Sequence, residues 1–188
     1  MLPDRIEILR WLYSNLKPKR FLHTLGVGQE AIELAMIHGL PLREASVAAL
    51  LHDCAKNLPE REMLRILESH QDPYADKDFP QVLHAFAGPY VAEDQFGPLP
   101  EDIANAIRFH TTGRSAMSPL EKLIFSADYT EPGREEFAGL AEARALIRKD
   151  LSLGTAHIIR NNVYYLQRKG ALIHPLTLTA LTDLSNGV

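Results

Sequence analysis

The stretch LLHDCAKNLP, residues 50–59, closes an apolar run with an imidazole, a carboxylate and an ammonium: His52, Asp53 and Lys56. An ionised carboxylate carried into an interior is costly unless a cation or a strong donor network meets it. Two more groups of the same kind stand on faces that helical periodicity would bury. His23 lies in RFLHTLGV, between Leu22 and Leu25, and Asp128 lies in EKLIFSADY, one turn after Ile124 and two after Leu120. Each alone is more often a satisfied polar group than a ligand. Together, two imidazoles and two carboxylates suit a borderline divalent ion, iron first, with Mn, Co or Zn as alternatives. Coordination positions would remain for water and substrate. Such a centre can generate a water nucleophile and neutralise charge on phosphoryl oxygens. Lys56 follows the dyad by about one turn, where its ammonium could meet a phosphate; a solvated lysine at a helix end is the competing reading.

The remaining histidines divide in two. His84 (LHAFAG) and His110 (RFHTTG) have small or apolar neighbours, and core histidines bonded to backbone are the bland alternative. His38 and His70 at helix ends, and His157 in an ordinary late helix, read as structural.

These side chains need elements to hold them, and the periodicity is helical almost throughout. Helices are expected at 4–16, 19–38, 42–57, 60–69, 78–94, 100–110, 118–131, 137–149, 151–169 and near 176–184. The first should bury Ile6, Leu9 and Leu12 or Tyr13. Helix 42–57 is apolar on nearly all sides, so it should carry His52 and Asp53 inward. Loops are expected at 70–77, 97–100 and 132–133, and no segment alternates long enough for a strand. The fold class is all-α. Ligands drawn from three helices are how helical bundles build metal sites. GVGQEA (26–31) matches G-x-G-x-x-A, but nothing before it reads as a strand, so these glycines are expected to permit close helix packing instead.

At 188 residues and 46% hydrophobic, the chain reads as one globular domain. A net charge of −4 argues against a nucleic-acid partner, so any anion site must be built locally. The single cysteine, Cys54, suits a reducing compartment. With no apolar run of membrane-spanning length and no leader signature, the expectation is a cytoplasmic protein without a membrane partner.

The order His23, His52-Asp53, Asp128 on an all-helical chain resembles the HD-domain metal-dependent phosphohydrolases. RFLHTLGV, LLHDCAKNLP, RFHTTGR (108–114) and SADYTEPGR (126–134) narrow this to the YqeK family, symmetrical diadenosine-tetraphosphate hydrolases that cleave Ap4A into two ADP. The resemblance runs from about residue 15 to 180. Hydrolases of (p)ppGpp carry an acidic pair where this chain has Lys56 and Asn57, and cyclic-di-GMP phosphodiesterases carry a GYP signature absent here. Another HD-type phosphohydrolase or phosphodiesterase, or a non-catalytic nucleotide-binding module, stays as the alternative.

The resemblance implies an HD-domain helical bundle over 1–188 with His23, His52, Asp53 and Asp128 as metal ligands. His52, Asp53, Lys56, His84 and His110 would be catalytic. His84 and His110 would face the substrate phosphates, as contacts or as general acid, or hold a second metal. Arg20 and Arg134 would clamp phosphate, Asp128 would face metal and substrate alike, and Tyr129 would pack on a base or ribose. ALIHPLTL (171–178) resembles the family's nucleotide-contacting loop, with Ile173, His174 and Pro175 as contacts. That loop commonly has an aromatic where His174 stands, and a plain docking loop competes. A dinucleoside polyphosphate substrate, ADP as product and a homodimer are likewise implied.

Overall fold

The structure, a computed structural model, describes residues 2–186. Among them the chain forms ten α-helices, one 3-10 turn and no strand. The order is α1 (Arg5–Asn15), α2 (Pro18–His38), α3 (Leu42–Leu51), α4 (Glu60–Ser69), the 3-10 turn Pro80–Val82, α5 (Leu83–Phe96) and α6 (Glu101–Phe109). Then come α7 (Pro119–Thr130), α8 (Leu140–Lys149), α9 (Leu151–Arg168) and α10 (Pro175–Asn186). No helix of these residues is long and apolar enough to cross a membrane.

The boundaries follow local chemistry. Asp4 accepts the Ile6 backbone N–H at 2.8 Å and opens α1, and Asp150 does the same for α9 through Leu153 at 2.9 Å. Ser118 caps α7 ahead of Pro119 at the first helical position, and Gly39 ends α2 with φ of 66°. The buried face of α1 differs from the expected one. Ile8 and Leu12 are buried, with Leu16 continuing their line, whereas Ile6 and Tyr13 are largely exposed. The four-residue steps from 8 to 12 to 16 stay on one face, while Ile6, two residues before Ile8, falls on the opposite side of the helix.

A second difference matters more. The expected helix 42–57 stops at Leu51, so His52, Asp53 and Lys56 stand in turns rather than on a helix face. The ring of His52 donates from Nδ1 to the Ala49 carbonyl at 2.6 Å. Beyond it, backbone bonds run from Cys54 to Leu51, Lys56 to Asp53 and Leu58 to Ala55, each reaching back three residues. The chain winds tighter where the polar pair must turn inward.

Two hydrophobic clusters fill the interior. The larger joins α1–α3 with α6–α10; the smaller lies between α4, α5 and the end of α6. The chain passes from one to the other between Cys54 and Ala55, and again between Ile107 and Phe109. The polar cluster forms along this seam.

Helix α8 approaches α9 through a sharp corner at Asp150, and its Arg144 donates to the carbonyls of Thr130 and Glu131, each at 3.0 Å. That clamp holds the end of α7. A Cβ at Gly154 would sit 2.6 Å from the Ile147 backbone nitrogen, which cannot swing aside. Gly154→Ala should therefore destabilise the protein by about 1–3 kcal/mol, the usual size for overpacking. A thermal melt followed by circular dichroism checks this; an unchanged Tm would deny the close approach.

Candidate metal centre

Six side chains from five segments converge on the seam. His52 and His110 occupy equivalent places, each one residue beyond the end of its helix. His110 Nδ1 donates to the Ile107 carbonyl at 2.7 Å, matching the bond from His52 to Ala49. Both rings thus have a fixed tautomer with Nε2 turned inward, and their centroids lie 5.0 Å apart. His23 comes from the second turn of α2, His84 from the first turn of α5 and Asp128 from the last turn of α7.

Asp53 stands at the centre. One oxygen, Oδ1, lies 3.2 Å from His84 Nε2 and 3.6 Å from His110 Nε2. The other, Oδ2, lies 2.6 Å from Arg20 and 3.4 Å from His52 Nε2. Burial alone would raise the Asp53 carboxyl, but the surrounding imidazoles of His52, His110 and His84 overcome that cost. The group is held well below the usual carboxylate range. Asp128 behaves alike: burial raises it, while the neighbouring rings of His23 and His52 carry it far lower. Arg134 donates to the Asp128 carboxylate at 2.8 Å and to the Asp128 backbone carbonyl at 2.7 Å. Burial also pushes His84 down to about 4, so its ring is neutral at pH 7. Lys56 Nζ rests 3.0 and 3.3 Å from that ring's nitrogens.

The test of fit for a cation is the set of atoms left over. His23 Nε2 and His52 Nε2 are buried and lack a hydrogen-bond partner, although the Nδ1 of each ring is bonded. Orphaned nitrogens of this kind are rare. His23 Nε2 lies 3.0 Å from Asp128 Oδ1 and 3.9 Å from Asp53 Oδ2. Donor atoms of His23, His52 and Asp128 lie within 4.8 Å of one another, as do those of His52, Asp53 and His110. Two imidazole nitrogens and two ionised carboxylates are what a borderline divalent ion takes. The donor set fits.

A cleft of about 900 Å³ opens on the centre beside His23, with Arg20, Lys56 and Arg134 in its wall and Lys17 and Lys19 at its rim. A second cleft of about 270 Å³ lies on the side of His110, Asp128 and Tyr129, and shares Arg134 and Phe137 with the first. Despite the negative net charge, the mouth of the larger cleft is lined with cations.

Of the residues read from sequence, His23, His52, Asp53, Lys56, His84, His110, Asp128, Arg20 and Arg134 meet here. Tyr129 faces the smaller cleft with its ring 5.2 Å from Phe137. The tail is placed differently. His174 sits among aromatic rings, 4.7 Å from Phe79 and 5.5 Å from Phe86, with Nδ1 accepting the Leu176 N–H. Ile173 packs on the larger core, and Pro175 begins α10. Sequence reading did not single out Glu131, a buried carboxylate 3.2 Å from His23 Nδ1. A signal existed: an acidic residue ending a helix opposes the helix dipole, and such local conflicts often mark function. The glycines of GVGQEA do serve packing. A Cβ at Gly26 would fall 2.3 Å from Glu131 Oε2, and Gly28 lies against Leu50.

The HD domain family model matches residues 20–133. The chain is 38% identical over 185 residues to the "Bis(5'-nucleosyl)-tetraphosphatase, symmetrical" of Bacillus subtilis, covering 98% of this chain and 99% of that one. It is 38% identical over 184 residues to the protein of the same name from Halalkalibacterium halodurans, at 96% and 97% coverage. A crystal structure from Clostridium acetobutylicum, named a "predicted HD superfamily hydrolase involved in NAD metabolism", superposes with a TM-score of 0.92 at 35% identity, covering the whole of both chains.

The pKa of His84 generates a pH dependence. Folded, the ring stays neutral down to about 4, against 6.5 ordinarily. Between those values the unfolded chain binds a proton that the folded protein refuses. Stability is therefore full above about pH 6.5 and falls on acidification towards 4, by up to about 3 kcal/mol. Chelator-treated protein should show a steeper fall of Tm across this window than the His84→Gln variant. Equal slopes would mean that His84 does not carry the effect.

Proposed function

We propose that this chain, which belongs to the HD-domain family and within it to the family of the symmetrical bis(5'-nucleosyl)-tetraphosphatases, hydrolyses diadenosine tetraphosphate (Ap4A) to two ADP. The observation that carries the reading is one convergence. Two orphaned histidine nitrogens and two ionised carboxylates meet beside a cleft that His23 lines together with Arg20, Lys56 and Arg134.

His23, His52, Asp53 and Asp128 hold the divalent ion, which we take to be iron; Mn, Co and Zn suit the same donors. When bound, the ion supplies Lewis acidity and a lowered water pKa. The protein's own groups do the rest. Arg20 and Arg134 bind non-bridging phosphate oxygens, a task for which the planar guanidinium is suited. Lys56 adds a point charge beside His84. The neutral His84 ring is a hydrogen-bonding group for phosphate, and His110 in its doubly protonated form gives its Nε2 proton to the departing phosphate oxygen. Water adds to one of the two inner phosphorus atoms, the central bridging oxygen departs, and each product keeps two phosphates. Tyr129 faces one nucleoside half in the smaller cleft, and the loop Ile173–Pro175 contacts nucleotide. The enzyme is a cytoplasmic homodimer, without a nucleic-acid or membrane partner.

Two measurements test this. Metal-loaded protein given Ap4A should yield ADP alone by chromatography. ATP and AMP in equal amounts would contradict the reading, and turnover of dNTPs, ppGpp or cyclic dinucleotides in place of Ap4A would move the enzyme to another HD class. Second, His110→Ala or Arg134→Ala should lower kcat/KM by roughly a hundredfold or more with bound metal near the wild-type level. His52→Ala should lose metal and activity together. If His110→Ala also strips metal, His110 belongs to the coordination sphere and the centre is a two-ion one.

A further inference from the structure

Three of the imidazoles at the centre have their Nδ1 occupied, and the occupants differ in kind. His52 and His110 each donate to a backbone carbonyl. His23 donates to a carboxylate, Oε1 of Glu131, at 3.2 Å. We infer that Glu131 is a positioning residue for the metal centre, fixing the His23 tautomer and strengthening its Nε2 as a ligand. The inference rests on the metal-site reading given above.

The surroundings are arranged around this carboxylate. Glu131 is only 3% exposed, although it ends α7, where a negative charge opposes the helix dipole. Its other oxygen, Oε2, accepts the Gly133 backbone N–H at 2.5 Å. Both lobes are thus committed: one to the imidazole, one to the loop. Two glycines leave it room. A Cβ at Gly26 would lie 2.3 Å from Oε2, and one at Gly133 would lie 2.9 Å from it. Gly26 is three residues after His23 on α2, so the carboxylate lies against the turn of helix that carries the ligand. The backbone is anchored independently, because Arg144 donates to the Glu131 carbonyl at 3.0 Å.

The physical effect is that of a carboxylate–histidine pair. The carboxylate draws the Nδ1 proton, which leaves the Nε2 lone pair directed at the centre and raises its basicity. Removing partners of this type typically lowers metal affinity by about 10–100-fold. A carbonyl does the orienting but brings no charge, so the contribution at His23 should exceed that at His52 or His110.

The test reads metal binding without nucleotide. Metal-stripped protein is titrated with Co²⁺ and the visible absorption followed. Glu131→Gln preserves the shape and removes the charge; its Kd should rise by about 10–100-fold. Gly26→Ala should act in the same direction by displacing the carboxylate, and alanine is the better helix former, so a lost helix is not the cause. In a His23→Ala background, Glu131→Gln should change the residual Kd no further, as coupling through His23 demands. Wild-type affinity in both single variants, or an equal loss with and without His23, would overturn the assignment. So would a metal-free Tm that falls in both variants in step with affinity, which would make Glu131 merely structural. If Glu131→Gln fails to fold, Gly26→Ala decides. A protein that binds Co²⁺ tightly yet makes no ADP from Ap4A would sink the hydrolase reading and leave this one standing.

Discussion

A carboxylate at the depth of Asp53 stays charged only where its surroundings outweigh the water it has lost. Here they do so with Arg20 on one oxygen and histidine nitrogens around both. Most of what is irregular in the fold traces to that requirement. The helix that delivers Asp53 stops short, and the following residues wind into tight turns. Helix α6 ends at the same seam, and the hydrophobic interior divides in two there. A single apolar core would have closed over this position and expelled the charge.

Helix ends solve a second problem, that of aiming a ring. A histidine within a helix points where its rotamer allows. One residue beyond the end, it can turn back and take a carbonyl three residues earlier. His52 and His110 both do this, so two carbonyls that a continuing helix would have used become orienting acceptors. His23 lies inside a helix of 21 residues with no such carbonyl to spare. Its acceptor comes from a different element, and glycines in α2 and in the loop after α7 leave room for it.

Much of this was legible in the sequence because the chemistry is local to short strings. His23, His52, Asp53 and Asp128 could be read from residue type and from apolar neighbours, and the all-α class followed from periodicity. The end of α3 was not legible: SVAALL is apolar enough to continue through Cys54 and Ala55, and only the side-chain bond of His52 interrupts it. Nor were the pairings of Arg20 with Asp53 and Arg134 with Asp128, since they join distant residues or depend on a loop's path. Glu131 was hidden by its place in a Pro-Gly turn, where an acidic residue looks like ordinary solvated loop. The surroundings of His174 were not legible either: its ring lies buried between Phe79 and Phe86, because an imidazole face packs as an aromatic does.

The charge around the centre explains why a polyphosphate and a cation belong together there. Three carboxylates, Asp53, Asp128 and Glu131, face three cations, Arg20, Lys56 and Arg134, and their formal charges cancel. Arg20 and Arg134 each spend their nearest contacts on a carboxylate of the cluster. A polyanion approaching such a balanced site meets little net attraction at the floor, whatever the lysines at the rim contribute at longer range. A divalent ion held by Asp53 and Asp128 would change that balance by two units and would compete for the same carboxylate oxygens that the guanidiniums hold. The donors proposed for the ion and the cations proposed for phosphate are electrostatically linked through two carboxylates, so a change at Asp53 or Asp128 would alter both functions.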